Sequence, residues 1–136
     1  MISHIHHINF IVRDLTSAVT RYQNSFGLGD FLFDTLQRRN VITARIQIGD
    51  TWLVLVQPTD DKGAPAEYLK QHGEGFFLMS LATDDLDAQL ELFERTFKSN
   101  QSSSTARQGL ENWRVSDLPG DAFFGAQLQL TQELSK

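Results

Sequence analysis

The sequence predicts an α+β fold made of two βαβββ modules, whose strands form a curled mixed sheet around a cleft. The first observation is a strand at Ile5–Val12 that leads into a helix at Leu15–Phe26, where apolar residues recur at helical spacing. The second is that the same order returns at Phe76–Thr83 and Leu86–Phe97. Each helix follows an Asp-Leu pair, and the two copies lie 71 positions apart in the sequence.

The first module is bounded by clear helix and turn signals. Asp14 is placed to cap the helix N-terminus, and Gly27 suits a left-handed C-cap. Gly49-Asp50 is a hairpin turn that joins two strands in an antiparallel pair. The remaining strands are predicted at 30–36, 41–48 and 51–57, with Gln37–Asn40 as a turn.

The second module is predicted to repeat this order after a connector. We predict one domain, 1–136, with module one at 1–57, a connector at 58–75 and module two at 76–136. The connector contains a short helix at Ala64–His72, and the serine-rich stretch Lys98–Gly109 is expected to contain a weak strand. A final hairpin is predicted from Trp113–Asp117 and Gly125–Leu130, joined by a turn at 118–121. Its Gly-Asp pair at 120–121 repeats the pair at 49–50.

Composition excludes several classes of function. A net charge of -5 and a pI near 5.2 give no basic face for nucleic acid. The absence of cysteine excludes disulfides, thiolate metal sites and a cysteine nucleophile. No apolar run is long enough for a membrane span, and the first residues lack a signal-peptide pattern, so we expect a cytoplasmic protein without a membrane partner.

The connector resembles that of a known family. The stretch Pro65–Gly75, a helix followed by Gly-Glu-Gly before a strand, is similar to the methylmalonyl-CoA epimerase-like branch of the vicinal oxygen chelate superfamily. That superfamily also includes glyoxalase I, extradiol dioxygenases and the bleomycin and fosfomycin resistance proteins. The resemblance covers nearly the whole chain, implies the glyoxalase/bleomycin-resistance-like fold and implies a homodimer.

The resemblance also implies a metal site on four strands, and this chain departs from its pattern. The first position is His7 and the second is Gln57. Leu78 stands where the family has histidine, and Gln129 stands where it has glutamate. A set limited to His7, Gln57 and Gln129 supplies one imidazole, two neutral amides and no negative charge, which is poor for a transition metal. The glutamate base that the family has before its third strand is also missing from Gln37–Asn40.

Other interpretations of these residues remain open at this stage. His7 could be a hydrogen-bonded structural histidine, His6 could be exposed, and Gln57 and Gln129 could bond to each other across the cleft floor. Arginines 38, 39, 45 and 114 could receive an anionic ligand at the mouth. The residues predicted to line the cleft and contact a ligand are His7, Asn9, Trp52, Gln57, Leu78, Trp113 and Gln129.

Two main hypotheses for function follow, and a purely structural dimerisation module is a third. The first is a protein that binds a small apolar or aromatic, possibly anionic, ligand without a metal cofactor and without catalytic residues. The alternative is an isomerase or lyase of the methylmalonyl-CoA epimerase or lactoylglutathione lyase type, using Mn, Co, Ni or Zn held by His7, Gln57 and Gln129. Whether the protein is an enzyme is left open by the sequence.

Overall fold

The computed structural model describes residues 1–97 and 106–134 and contains eight strands and three helices in those ranges. The elements are β1 Ile2–Ile11, α1 Leu15–Phe26, β2 Leu32–Leu36, β3 Val41–Ile48, β4 Thr51–Pro58, α2 Ala64–His72, β5 Gly75–Thr83, α3 Leu86–Phe97, β6 Arg107–Gln108, β7 Trp113–Asp117 and β8 Leu128–Glu133. The order βαβββ occurs twice, with α2 between the copies. The predicted α+β class and the repeated βαβββ order are therefore confirmed.

The chain divides into two compact units whose boundaries fall inside strands. The central unit comprises Ile8–Phe77, and the terminal unit comprises Met1–His7 together with Leu78–Lys136. Strand β1 contributes its first half to the terminal unit and its second half to the central unit.

The central unit is a sheet covered by α1. Its strand order is β2-β3-β4-β1, and β3 pairs antiparallel with both β2 and β4. Asp14 caps α1 by accepting a hydrogen bond from the Ser17 amide at 3.0 Å, and Gly27 ends the helix with φ 63°. Both predicted caps are confirmed. The helix buries Leu15 and Val19 against the sheet, in a core completed by Phe31, Ala44 and Leu55.

The terminal unit has the strand order β1-β5-β8-β7-β6 and is covered by α3. Strands β5 and β8 are parallel, with Ala82 opposite Thr131, while β7 pairs antiparallel with β8. Asp85 caps α3 through the Ala88 amide at 3.0 Å, as Asp14 caps α1. No helix in the described ranges is long and apolar enough to cross a membrane.

The last strand was predicted at the wrong place. A short 3-10 helix at Gly120–Phe123 replaces the expected turn, and Phe124 and Gly125 then have φ of 58° and 90°. These left-handed conformations are incompatible with an extended strand, so β8 begins at Leu128 and continues to Glu133. The predicted strand Gly125–Leu130 is therefore wrong by three residues at each end. Within the serine-rich stretch, the expected strand is β6, and residues 98–105 lie outside the described residues.

Candidate functional site

The seven predicted cleft residues are divided between the two units. His7, Leu78, Trp113 and Gln129 belong to the terminal unit, and Asn9, Trp52 and Gln57 belong to the central unit. In the terminal unit, His7, Trp113 and Gln129 form a group of neighbouring side chains.

His7 is buried against Trp113. The imidazole and indole are stacked, with centroids 4.9 Å apart and an interplanar angle of 13°. His7 and Trp113 each expose only 3% of their surface. The sequence therefore grouped two residues that the fold does bring together.

His6 contacts the same indole, contrary to the expectation that it could be exposed. It is 2% exposed, and its ring meets the Trp113 ring edge-on at 4.5 Å. Its Nδ1 lies 2.8 Å from the Nδ1 of His7. Strand alternation sets the direction of the Cα–Cβ bond, but both imidazoles are long enough to reach one indole.

Glu133 completes this chain of contacts, and sequence reasoning missed it. Its Oε1 lies 2.8 Å from the Nε2 of His6. Glu133 is the last residue of β8, beyond the point where the strand was predicted to end. The contacts that connect Glu133, His6 and His7 could have been predicted only if β8 had been extended to Glu133.

Gln129 is held by a carboxylate. Its Nε2 donates to Asp117 Oδ1 at 2.9 Å, and Arg107 donates to Asp117 Oδ2 at 2.5 Å. Gln129 is 4% exposed, and its Oε1 is buried with no hydrogen-bond partner among the described residues. A buried acceptor left unpaired costs about 1–3 kcal/mol, so this oxygen is the least satisfied part of the group.

Burial disfavours the charged form of both His6 and His7. Burial is the main cause that lowers the pKa of His7 to about 3, and the neighbouring His6 lowers it further, while Gln129 and the Asp117 carboxylate act in the opposite direction. Burial also lowers the pKa of His6, outweighing the opposing effect of Glu133. The Gln129 side chain thus interacts with His7, although its Oε1 makes no hydrogen bond of good geometry with a described residue.

Gln57 has a structural role in the central unit. Its Oε1 accepts the Leu15 amide at the start of α1 at 2.7 Å. In the terminal unit, Gln132 accepts the Leu86 amide at the start of α3 at 2.9 Å. Gln132 is thus the counterpart of Gln57, and it lies 75 positions later rather than 71. Gln129, three residues before Gln132, corresponds by position to Val54.

The other two predicted residues of the central unit have separate surroundings. Asn9 Oδ1 is buried without a partner among the described residues. The half-buried Trp52 lies under the Arg45 guanidinium, 5.1 Å from it, and Arg45 also pairs with Asp34 at 2.5 Å. Arg114 likewise pairs with Asp87, at 3.0 Å. Arg45 and Arg114, both considered for an anionic ligand, are therefore engaged within the chain.

The donor set does not fit the metal that the fold family implies. Of its four positions, Gln57 uses its oxygen to cap a helix, and Leu78 carries no lone pair. His7 and Gln129 are left, a single nitrogen and a single neutral oxygen. No group of three histidine, aspartate or glutamate side chains in the described ranges is arranged to hold a metal ion.

A separate cavity lies on the other face of β8. It has a volume of about 260 Å³ and is lined mainly by apolar side chains, among them Phe93 and Phe97 of α3 and Phe123 of the 3-10 helix. Leu128 and Leu130 line it, whereas Gln129 between them projects to the opposite face because side chains alternate along a strand. The cavity is therefore distinct from the group around His7.

A sequence model of the Glyoxalase/Bleomycin resistance protein/Dioxygenase superfamily matches residues 6–115. No curated protein matches the sequence.

Solved structures of methylmalonyl-CoA epimerases have the same fold. One, in complex with methylmalonyl-CoA and NH4+, is 22% identical with a TM-score of 0.92, covering 99% of this chain and 97% of the other. A Streptomyces coelicolor variant in complex with 2-nitronate-propionyl-CoA gives the same four values. The Mycobacterium tuberculosis epimerase is 20% identical with a TM-score of 0.88, covering 98% of this chain and 90% of the other. Identities this low establish the fold alone.

Proposed function

Because the chain belongs to the Glyoxalase/Bleomycin resistance protein/Dioxygenase superfamily, we propose that it is a small-molecule binding protein of that fold, without metal-dependent catalysis. The ligand is apolar or aromatic, and its polar end is bound by the group formed by His7, Trp113 and Gln129, which we call the His7 site. The protein is expected to be a cytoplasmic homodimer.

One observation carries the proposal, namely the buried and unpaired Oε1 of Gln129 beside a neutral imidazole. Native proteins pair nearly all buried polar atoms, and an exception is commonly explained by a bound molecule. The cost of the unpaired oxygen is recovered when a ligand supplies a hydrogen bond. The Trp113 indole, packed on both histidines, holds the two imidazole rings in place.

The departures at the metal positions support binding rather than metal chemistry. A metal that polarises a substrate needs several anionic or imidazole ligands. The His7 site supplies one imidazole and one amide oxygen, and its two nearby carboxylates are engaged, Asp117 by Arg107 and Glu133 by His6.

A ligand-observed NMR screen of small aliphatic and aromatic compounds tests the proposal. We expect binders whose affinity falls at least tenfold in Gln129→Met, which removes the unpaired oxygen and keeps the side-chain length. Gln47→Met is the matched control, since Gln47 is an exposed glutamine of β3. Binders with equal affinity for both variants would contradict the proposed site. Light scattering of the same sample tests the homodimer.

The second candidate is the metal-dependent isomerase. Its support is the fold shared with epimerases that bind methylmalonyl-CoA, together with a histidine retained at His7. It requires epimerisation of methylmalonyl-CoA that depends on added Mn, Co, Ni or Zn and is lost in His7→Gln. Proton exchange at the substrate α-carbon, followed by NMR in deuterated water, distinguishes this candidate from simple binding.

A further inference from the structure

We infer that the apolar cavity between α3 and the sheet of the terminal unit is a binding site for a small neutral aromatic molecule, of the size of benzene with a short alkyl group. All eleven residues that line the cavity belong to the terminal unit. The cavity lies on the opposite face of β8 from Gln129, so it is separate from the His7 site and does not depend on the proposed function.

The floor of the cavity is made by neighbouring leucines of the sheet. Leu81 of β5 lies opposite Leu130 of β8 in the parallel register. Leu128 lies two residues before Leu130 and therefore on the same face of β8. Leu130 is buried. The floor is thus an apolar surface that lies away from solvent.

One wall of the cavity is a cluster of three phenylalanine rings. Phe93 and Phe97 of α3 have ring centroids 5.0 Å apart, and the ring of Phe123 lies 5.8 Å from that of Phe93 and 6.0 Å from that of Phe97. These separations are typical of aromatic pairs that attract each other through ring edges and faces. A further ring extends the cluster with the same geometry, so the wall favours an aromatic ligand over an aliphatic one.

An unusual backbone turn separates Phe123 from the next phenylalanine. Phe123 contacts the rings of α3, whereas Phe124 has φ 58° and is fully exposed. The left-handed conformation is strained for a bulky residue, and strain of this kind is concentrated at functional sites. In this turn Phe123 belongs to the wall of the cavity and Phe124 does not.

Helix α3 covers its part of the sheet less completely than α1 covers the central unit. Helix α1 buries Leu15 and Val19, whereas Leu86 is the buried residue of α3. Leu92 and Phe97, which line the cavity, are both partly exposed. Apolar lining atoms therefore remain in contact with water. A ligand that displaces this water gains the free energy of apolar burial.

The volume and the lining define the ligand class. An apolar cavity of about 150 Å³ takes up benzene, and this one has about 260 Å³. Gln89 and Thr96 are the two polar residues that line it, and the Thr96 hydroxyl already donates to the Leu92 carbonyl at 2.9 Å. No charged residue within the described ranges lines the cavity, so an ion would lose its hydration without gaining a partner. The ligand is therefore neutral.

Toluene titrated into protein with ¹³C-labelled leucine methyl groups tests this site. We expect saturable shifts of the Leu128 and Leu130 methyl resonances, while those of Leu55, in the core of the central unit, stay in place. Sodium benzoate, which carries the same ring with a carboxylate, should bind at least tenfold more weakly than toluene. The absence of saturable shifts at Leu128 and Leu130 would overturn the site, and equal affinity for benzoate would overturn the neutral class.

A pair of variants ties toluene binding to the cavity. Leu92→Glu places a carboxylate in the lining and should reduce the affinity for toluene at least tenfold. Leu32→Glu is the matched control and should leave it unchanged, since Leu32 does not line the cavity and is 50% exposed, compared with 48% for Leu92. Because both leucines are half exposed, both variants should fold. Equal affinities of the two variants would overturn the site.

Light scattering of the same variants tests the other occupant of an apolar cavity, a second copy of this chain. If toluene did not bind and Leu92→Glu dissociated a dimer that Leu32→Glu preserved, the cavity would be a contact between copies and the inference would be wrong. Failure of the toluene experiments would leave the proposed function standing, because the His7 site is tested separately by Gln129→Met.

Discussion

Lowering the pH should destabilise the protein through His7. Its pKa is 6.5 in the unfolded chain and about 3 in the folded protein, where burial favours the neutral ring. Because the folded pKa is the lower of the two, this stability is fully present above pH 6.5 and is lost as the pH falls towards 3. The full difference of 3.5 pH units corresponds to about 5 kcal/mol. Between pH 7.5 and pH 4.5 the loss attributable to His7 is about 2–3 kcal/mol.

Urea unfolding of the wild type and His7→Gln at several pH values measures this contribution. The wild type should lose about 2–3 kcal/mol more than His7→Gln between pH 7.5 and pH 4.5. His4→Gln, which removes an exposed histidine of the same strand, is the control and should follow the wild type. Parallel pH profiles for the wild type and His7→Gln would refute a buried neutral imidazole at this position.

Two further predictions concern the supporting structure and are checked by urea unfolding. Gln57→Ala and Gln132→Ala should each cost about 1 kcal/mol, because each leaves the first amide of a helix without its acceptor, and equal losses would support their equivalence. If Gln57→Ala also abolished ligand binding, Gln57 would have a role in the site beyond its hydrogen bond to the Leu15 amide. Ser80 and Thr131 share a buried hydrogen bond of 2.6 Å, so Ser80→Ala should cost about 1–3 kcal/mol, and adding Thr131→Val should recover most of it. Simple additivity of the two changes would contradict that coupling.

The repeated helices were predictable because two local signals agree at each of them. Apolar residues at helical spacing and an Asp N-cap give α1 and α3 the bounds that were predicted. The strand β8 was not predictable from the repeat. The second hairpin is four residues longer than the first, because the equivalent residues Gln57 and Gln132 lie 75 positions apart. The two Gly-Asp pairs lie only 71 positions apart, so they give no sign of the extra residues. A left-handed Phe124 has no sequence signal, since this conformation is rare for a bulky residue.

Contacts between some of the candidate residues could be expected from the sequence, but the hydrogen bonds around them could not. His7 and Gln129 were selected from the family resemblance and Trp113 from the aromatic residues, and the fold places His7 on Trp113 and Gln129 near His7. Gln57 was selected by the same reasoning, yet its oxygen is used by the Leu15 amide. Side-chain hydrogen bonds between distant residues, such as that of His6 and Glu133, depend on exact strand ends and leave no periodic pattern.

The most direct test of the central claim, that the His7 site binds its ligand without a metal, is the metal content of untagged protein combined with melting scans. Manganese, cobalt, nickel and zinc would each be added to metal-depleted protein. A metal held at a hundredfold excess over its dissociation constant stabilises the folded state by about 2.7 kcal/mol. Our account predicts no stoichiometric metal and no rise in melting temperature. A stoichiometric metal, with a rise that disappears in His7→Gln but persists in His4→Gln, would contradict it.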